Sequence, residues 1–300
     1  MASPQLAILI QALRTQPFDE NASIQDTRVG FEAYASGFAV AADVTRERVD
    51  AGGVAGEWIT TPSVGATTVL YLHGGGYVIG STNTHADLVS RIGRAAGARA
   101  LAINYRLAPE YPHPAAVEDA TTAYRWLLAQ GASPEAIVIV GDSAGGGLTA
   151  ATLLALKDAG NPMPAAAVLI SPWTDLALTG ESVRTREAAD PALSPGILAK
   201  WSSAYCDGRP STDPLISPLY GDHGGLPPLL VIAGDAEILL DDSVRYAERA
   251  RAAGVDVTLE VWDEMLHIFP IFAGMLPEGQ QAIERIGAFI KEHINTGVTA

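Results

Sequence analysis

Eight short runs along the chain are rich in aliphatic and β-branched residues: Val44–Val49, Val54–Thr60, Thr68–Leu72, Ala100–Tyr105, Ala136–Val140, Ala166–Ile170, Leu229–Ala233 and Val257–Val261. The central ones are apolar without alternation, as in Val69-Leu70-Tyr71-Leu72, Ile137-Val138-Ile139-Val140 and Leu229-Leu230-Val231-Ile232. Runs of that kind read as strands buried on both faces. Between the later runs the spacing predicts helices over Thr84–Ala96, Ala115–Ala129, Gly145–Ala159 and Asp242–Ala253, with Glu278–His293 closing the chain. Strands alternating with helices predict an α/β fold, a mostly parallel sheet covered on both faces.

Two stretches stand outside that rhythm. Residues 1 to about 40 read as amphipathic helices: Leu6, Leu9, Ile10 and Leu13 share one face, and Phe31, Tyr34 and Phe38 form a second stripe. Residues 171–228 separate two strands by far more than one crossover helix needs. They hold many prolines and an amphipathic segment with Ile197, Leu198, Trp201, Ala204 and Tyr205. Both stretches are expected either to pack as extra helices or to form a cap over the strand ends.

Charge narrows the range of partners. The 300 residues carry a formal net charge of −15, which disfavours nucleic acid and anionic membrane surfaces. The single cysteine, Cys206, excludes an internal disulfide framework, suits a reducing compartment, and reads as a small buried hydrophobe. No run reaches the length of a membrane span. Leu6–Ile10 is short, with no basic region before it, so it does not read as a secretory signal. A cytoplasmic location is the expectation.

The chemistry concentrates where strands end. Gly141-Asp142-Ser143-Ala144-Gly145 joins a buried strand to a small-residue helix. A serine at such a sharp turn needs small residues two before and two after it, and its hydroxyl then faces a cleft. His73-Gly74-Gly75-Gly76 follows the strand Thr68–Leu72. Glycines there let backbone N–H groups converge, so Gly75 and Gly76, with Ala144, are candidate donors to an oxyanion.

Of the six histidines only His267 lies just past the last strand, in the loop Asp263 to Phe269, where it would emerge at the same sheet edge as Ser143. After Leu229–Ala233 come Asp235, Glu237, Asp241 and Asp242. The last two are expected to open a helix, which leaves Asp235 and Glu237 as candidates to orient the imidazole. Gly145–Ala150 contains Gly-x-Gly-x-x-Ala, but residues 165–170 offer no carboxylate for a ribose. No zinc-binding or phosphate-loop spacing is present, so neither a metal nor an organic cofactor is expected.

Taken together, His73–Gly76, Asn104-Tyr105-Arg106-Leu107-Ala108-Pro109-Glu110, Gly141–Gly146 and Ser171-Pro172-Trp173 resemble the bacterial hormone-sensitive-lipase-like (family IV) carboxylesterases, from about residue 40 onward. The resemblance implies an α/β-hydrolase fold with an eight-stranded sheet and a helical cap. The cap would comprise residues 1–40 and an inserted segment of about 175–220, with 41–300 as the catalytic domain. It sets Glu237 of Glu237-Ile238-Leu239-Leu240-Asp241-Asp242 on the position where the family has aspartate, a departure that keeps Asp235 as runner-up. Tyr105–Glu110 reads as a structural turn.

The expected function is that of a serine carboxylesterase acting through an acyl-enzyme on uncharged short- to medium-chain esters, with Ser143, Glu237 and His267 as triad. The alternatives are a lactone hydrolase with the same triad, or a non-catalytic small-molecule receptor. The plant gibberellin receptors resemble this family but lack the histidine that His267 provides here. The resemblance also admits a homodimer through the last strand and helix.

Overall fold

The structure, a computed structural model, describes residues 2–15, 18–62 and 64–294. Two helices come first, α1 (Pro4–Arg14) and α2 (Ile24–Ala35), followed by β1 (Thr45–Asp50), β2 (Ala55–Thr60) and β3 (Thr68–Leu72). Alternation then sets in with α3 (Ala86–Ala96), β4 (Arg99–Ile103), α4 (Ala115–Ala129), β5 (Ile137–Asp142), α5 (Ala144–Asp158) and β6 (Ala166–Ile170). A one-turn α6 (Ser182–Thr185) and α7 (Pro195–Cys206) precede β7 (Leu229–Gly234), α8 (Leu240–Ala252), β8 (Val257–Trp262) and α9 (Pro277–His293). All eight predicted strands form, two with the expected ends and the rest shifted by a residue or two.

The strands make one sheet in the order β1-β2-β4-β3-β5-β6-β7-β8. β2 runs antiparallel to β1 and β4, and every pairing from β4 to β8 is parallel. Every residue of β3, β5, β6 and β7 is buried, which explains their unbroken apolar runs. Leu70, Leu72, Ile137 and Ile139 face the layer with Tyr124, Leu148 and Tyr246, from α4, α5 and α8. Val69, Tyr71, Val138 and Val140 face the other layer, with Ile92 and Ile286 from α3 and α9. Because these strands run the same way, their C-terminal ends share one rim. The loops after β3, β5, β6, β7 and β8 therefore meet there.

Local chemistry sets several helix ends. Ser23 and Ser194 cap α2 and α7 by accepting from Asp26 N and Ile197 N. Gly97 ends α3 in the left-handed region. At α5 the N-cap position is Ser143, whose side chain makes no capping bond and so stays available for other contacts. Among the described residues, no helix is long and apolar enough to cross a membrane.

Candidate active site

Ser143 holds φ 53° and ψ −123°, a conformation that non-glycine residues rarely adopt. Surrounding bonds impose it: Ser143 N donates to Ile170 O at 2.8 Å, and Trp173 N donates to Ser143 O at 2.9 Å. A Cβ on Gly145 would fall on the Leu72 and His73 carbonyls, and one on Gly141 would fall on the Gly145 carbonyl. The small flanking residues are thus a requirement of how closely β3, β5 and α5 approach.

The loop after β8 brings His267 to the serine. Its Nε2 lies 3.0 Å from Ser143 Oγ, and its Nδ1 lies 3.2 Å from Glu237 Oε2. A carboxylate only accepts, so Nδ1 carries the proton and Nε2 of the neutral ring is free to accept from the hydroxyl. Burial alone would lower the His267 pKa. The hydrogen bond and charge of Glu237, with the charges of Asp190 and Asp142, outweigh it, and the net displacement is upward.

Asp235 does not reach the imidazole. Its Oδ1 accepts from Glu264 N at 2.7 Å, which ties the end of β7 to the turn after β8. Asp241 and Asp242 lie in the first turn of α8, as expected, and the buried Asp242 Oδ1 accepts from Thr174 N and Asp175 N. Glu237 is the carboxylate that the fold brings to His267.

Peptide orientation governs the glycine loop. His73 Nδ1 lies 2.8 Å from Gly74 O and, facing a carbonyl, must carry the proton. Burial, with His85 nearby, lowers the His73 pKa to about 3, so the ring stays neutral. Gly75 O accepts from Val78 N at 3.0 Å and Ile79 N at 2.9 Å. A trans peptide sets C=O and N–H on opposite sides, so fixing the Gly74 and Gly75 carbonyls turns the N–H groups of Gly75 and Gly76 the other way. Among the described residues neither N–H, nor that of Ala144, donates to a protein acceptor. Three donors are left free beside Ser143, one of them at the N-terminus of α5.

Asp142 anchors the loop from beneath. Its Oδ1 accepts from Tyr71 OH at 2.6 Å and Gly74 N at 3.0 Å, and its Oδ2 lies 3.2 Å from His85 Nε2. Burial would raise its pKa, but the pairing with His85 and the Tyr71 hydroxyl hold the carboxyl below the usual range.

A cavity of about 90 Å³ opens beside the serine, lined by Ser143, His267, Gly75, Gly76, Phe31 and Trp201 among others. It adjoins a second, of about 420 Å³, between α1, α2 and residues 191–192. Leu13, Phe18, Phe31, Tyr34 and Ala192 line both. Trp201 sits on Gly76 so closely that a Cβ there would enter its ring, and Phe18 packs edge-on against the same indole at 5.3 Å. The walls next to the reactive groups are therefore mostly apolar.

Two contributors escaped sequence reasoning. Ser171, noted only as part of a motif, donates to Glu237 Oε2 at 2.7 Å and accepts from Ile268 N at 3.0 Å. Its place right after β6, next to β7 in the sheet, was the available signal. Asp190 accepts from Ile238 N at 3.0 Å, and from Ala192 N and Leu193 N at 2.9 Å. No sequence pattern pointed to it.

Comparison with known proteins agrees with this fold. A family profile described as the alpha/beta hydrolase fold matches residues 69–271. An acetyl-hydrolase of Streptomyces hygroscopicus is 42% identical over 99% of this chain and 100% of its own length. An esterase of Acinetobacter venetianus is 39% identical, over 79% of this chain and 78% of its own. The crystal structure of an esterase from the bacterial hormone-sensitive lipase family matches with a TM-score of 0.96 at 47% identity, over 98% of this chain and 100% of that one.

Proposed function

The chain belongs to the hormone-sensitive-lipase-like carboxylesterases of the α/β-hydrolase fold and is a carboxylic ester hydrolase, and from that premise we propose that Ser143 is its nucleophile, acting on small uncharged esters through an acyl-enzyme. The observation that carries the proposal is the chain of contacts Ser143 Oγ, His267 Nε2, His267 Nδ1, Glu237 Oε2 at 3.0 and 3.2 Å.

In the first step Ser143 Oγ attacks the ester carbonyl carbon while His267 Nε2 takes its proton. The carbonyl oxygen becomes an alkoxide held by the N–H groups of Gly75, Gly76 and Ala144. Glu237 holds the imidazole in its Nδ1–H tautomer and stabilises the imidazolium. As the intermediate collapses, the bond to the leaving oxygen breaks and His267 gives that oxygen its proton. Water, deprotonated by the same nitrogen, then attacks the acyl carbonyl carbon; as that intermediate collapses the bond to Ser143 Oγ breaks, His267 returns the proton to the serine, and the acid leaves.

Residues 1–40 and the segment about 175–220 act as a cap in this reading, since Phe18, Phe31 and Trp201 wall the cavity beside the serine. That cavity, about 90 Å³ and largely apolar, suits a short acyl chain, and the adjoining space suits the other half of the ester. A panel of nitrophenyl esters of rising acyl length, run beside lactones, tests the reading. Turnover that peaks at short to medium acyclic chains, with a burst of nitrophenol equal to the enzyme present, is the expected result. Lactones outpacing every acyclic ester would overturn the substrate assignment.

A further inference from the structure

The segment Asn104–Glu110 takes no part in the reaction proposed above, yet its contacts converge on the loop that carries Gly75 and Gly76. Tyr105 OH donates to His73 O at 2.7 Å, Asn104 Oδ1 accepts from Thr82 N at 2.9 Å, and Ala108 N donates to Tyr77 O at 2.9 Å. The loop is thus tied to this segment at its two ends and its middle.

From the other side it is gripped by α2. Arg28 Nε donates to Val78 O at 2.7 Å, and its terminal nitrogens donate to Ala108 O at 2.8 Å and to both Glu110 oxygens at 2.8 and 2.6 Å. One turn further along the same helix face, Glu32 accepts from the Ser81 hydroxyl. A single guanidinium therefore joins the glycine loop, the 104–110 segment and the N-terminal helix. Only a planar fork with five N–H donors satisfies so many acceptors at once.

We propose that Arg28 is a positioning residue for the oxyanion hole. The residue whose carbonyl it holds, Val78, has its own N–H on Gly75 O, and the next N–H, of Ile79, goes to the same oxygen. Holding Val78 in place thus holds the Gly75 carbonyl, and peptide planarity passes that constraint to the Gly76 N–H. The ion pair with Glu110 does not explain the arrangement by itself. Glu110 is 52% exposed, and exposed ion pairs contribute little to folding. Helix α2 then does more than wall the cavity, because it helps aim a donor at the developing charge.

The inference rests on Gly75 and Gly76 acting as oxyanion donors. It is tested with Arg28→Ala, Arg28→Lys and Glu110→Gln, using a nitrophenyl ester and a boronic acid that forms a tetrahedral adduct on the serine. Complete loss of one such donor costs about a hundredfold or more, so loosening one predicts a fall in kcat of about tenfold for Arg28→Ala, with KM within about threefold. Boronate inhibition should weaken by the same factor as kcat. The acidic limb of the pH profile should stay in place, since the His267–Glu237 pair is untouched.

Arg28→Lys should recover part of the loss, and Glu110→Gln should show a smaller parallel loss of about threefold. These two variants carry the test if Arg28→Ala does not fold. A folded Arg28→Ala with kcat and boronate inhibition within about twofold of the parent overturns the proposal, as does a loss confined to KM. For the two milder variants, unchanged kinetics does the same. Ser143→Ala separates this failure from a wider one: if that variant turns over normally, the proposed nucleophile is wrong; if it is inactive, only the role of Arg28 falls.

Discussion

The Ser171 hydroxyl donates to Glu237 Oε2 at 2.7 Å, the same oxygen that lies 3.2 Å from His267 Nδ1. Glu237 Oε1 has no hydrogen-bond partner among the described residues. One oxygen thus carries both contacts of a fully buried carboxylate. Ser171 also accepts from Ile268 N, so a single hydroxyl sets the spacing between the acid and the loop that bears the histidine. Glutamate has one more torsion than aspartate, which makes such a restraint more necessary at this position. Ser171→Ala is predicted to lower kcat about tenfold and to cost about 2 to 3 kcal/mol of stability, as expected for the loss of two hydrogen bonds, one of them to a buried carboxylate. Steady-state kinetics and a urea melt on the same preparation check both figures.

Glu237 and Asp235 should part company on mutation. Glu237→Gln removes the charge that stabilises the imidazolium and permits the wrong tautomer, so kcat should fall by about three orders of magnitude. Asp235→Asn touches only the Glu264 N–H and should leave kcat within about threefold. A larger loss in the second variant would reverse the assignment of the acid.

The pH dependence follows from the upward displacement of His267. The imidazole must be neutral to accept the serine proton, so activity should be lost on acidification with a midpoint above the ordinary histidine value of about 6.5. Glu237→Gln removes the main upward influence and should move the residual activity's midpoint to lower pH. The sign for stability is opposite in direction. A raised folded-state pKa contributes stability that is complete below the unfolded value and disappears as pH rises through the folded one. Profiles of kcat/KM and of urea midpoint against pH measure the two limbs separately.

Gly145→Ala should be among the most damaging single-methyl additions in the chain. Its Cβ would collide with the backbone carbonyls of Leu72 and His73, which belong to a central strand and the glycine loop and have nowhere to move. A loss on the order of 3 kcal/mol, or failure to accumulate folded protein, is predicted from overpacking against rigid backbone. Thermal melts against Gly30→Ala, where a Cβ meets no neighbour and the backbone φ is not positive, give the comparison.

Acyl-length preference should respond to Trp201. Its ring covers Gly76 and lines the cavity beside the serine, so Trp201→Ala opens that space. The chain-length optimum is predicted to move to longer acyl groups, with kcat/KM for the shortest ester falling about tenfold as packing around it is lost. An unchanged optimum would mean that the acyl group lies elsewhere.

The fold was readable in the sequence because the central strands are buried on both faces and therefore apolar throughout, as in β3, β5 and β7. Glycine requirements made the Ser143 turn and the 73–76 loop visible as well, and chain order after the last strand singled out His267. Choosing between Asp235 and Glu237 needed more than spacing. Both follow β7, and only the turn geometry shows Asp235 spent on a backbone N–H. Ser171 left only its place right after β6 as a signal, and the contacts of Arg28 were not legible because they join segments far apart along the chain. The size of the cavity beside the serine was equally hidden, since Trp201 and Phe18 reach it from helices and loops whose docking no local pattern encodes.

The central claim is that Ser143 is an activated nucleophile, and covalent labelling with an organophosphate followed by peptide mapping tests it most directly. The account predicts one adduct per chain, on the peptide containing Ser143, with activity lost in step with labelling and no adduct in Ser143→Ala. Stoichiometric inactivation with the adduct on any other residue, or full turnover by Ser143→Ala, would contradict it.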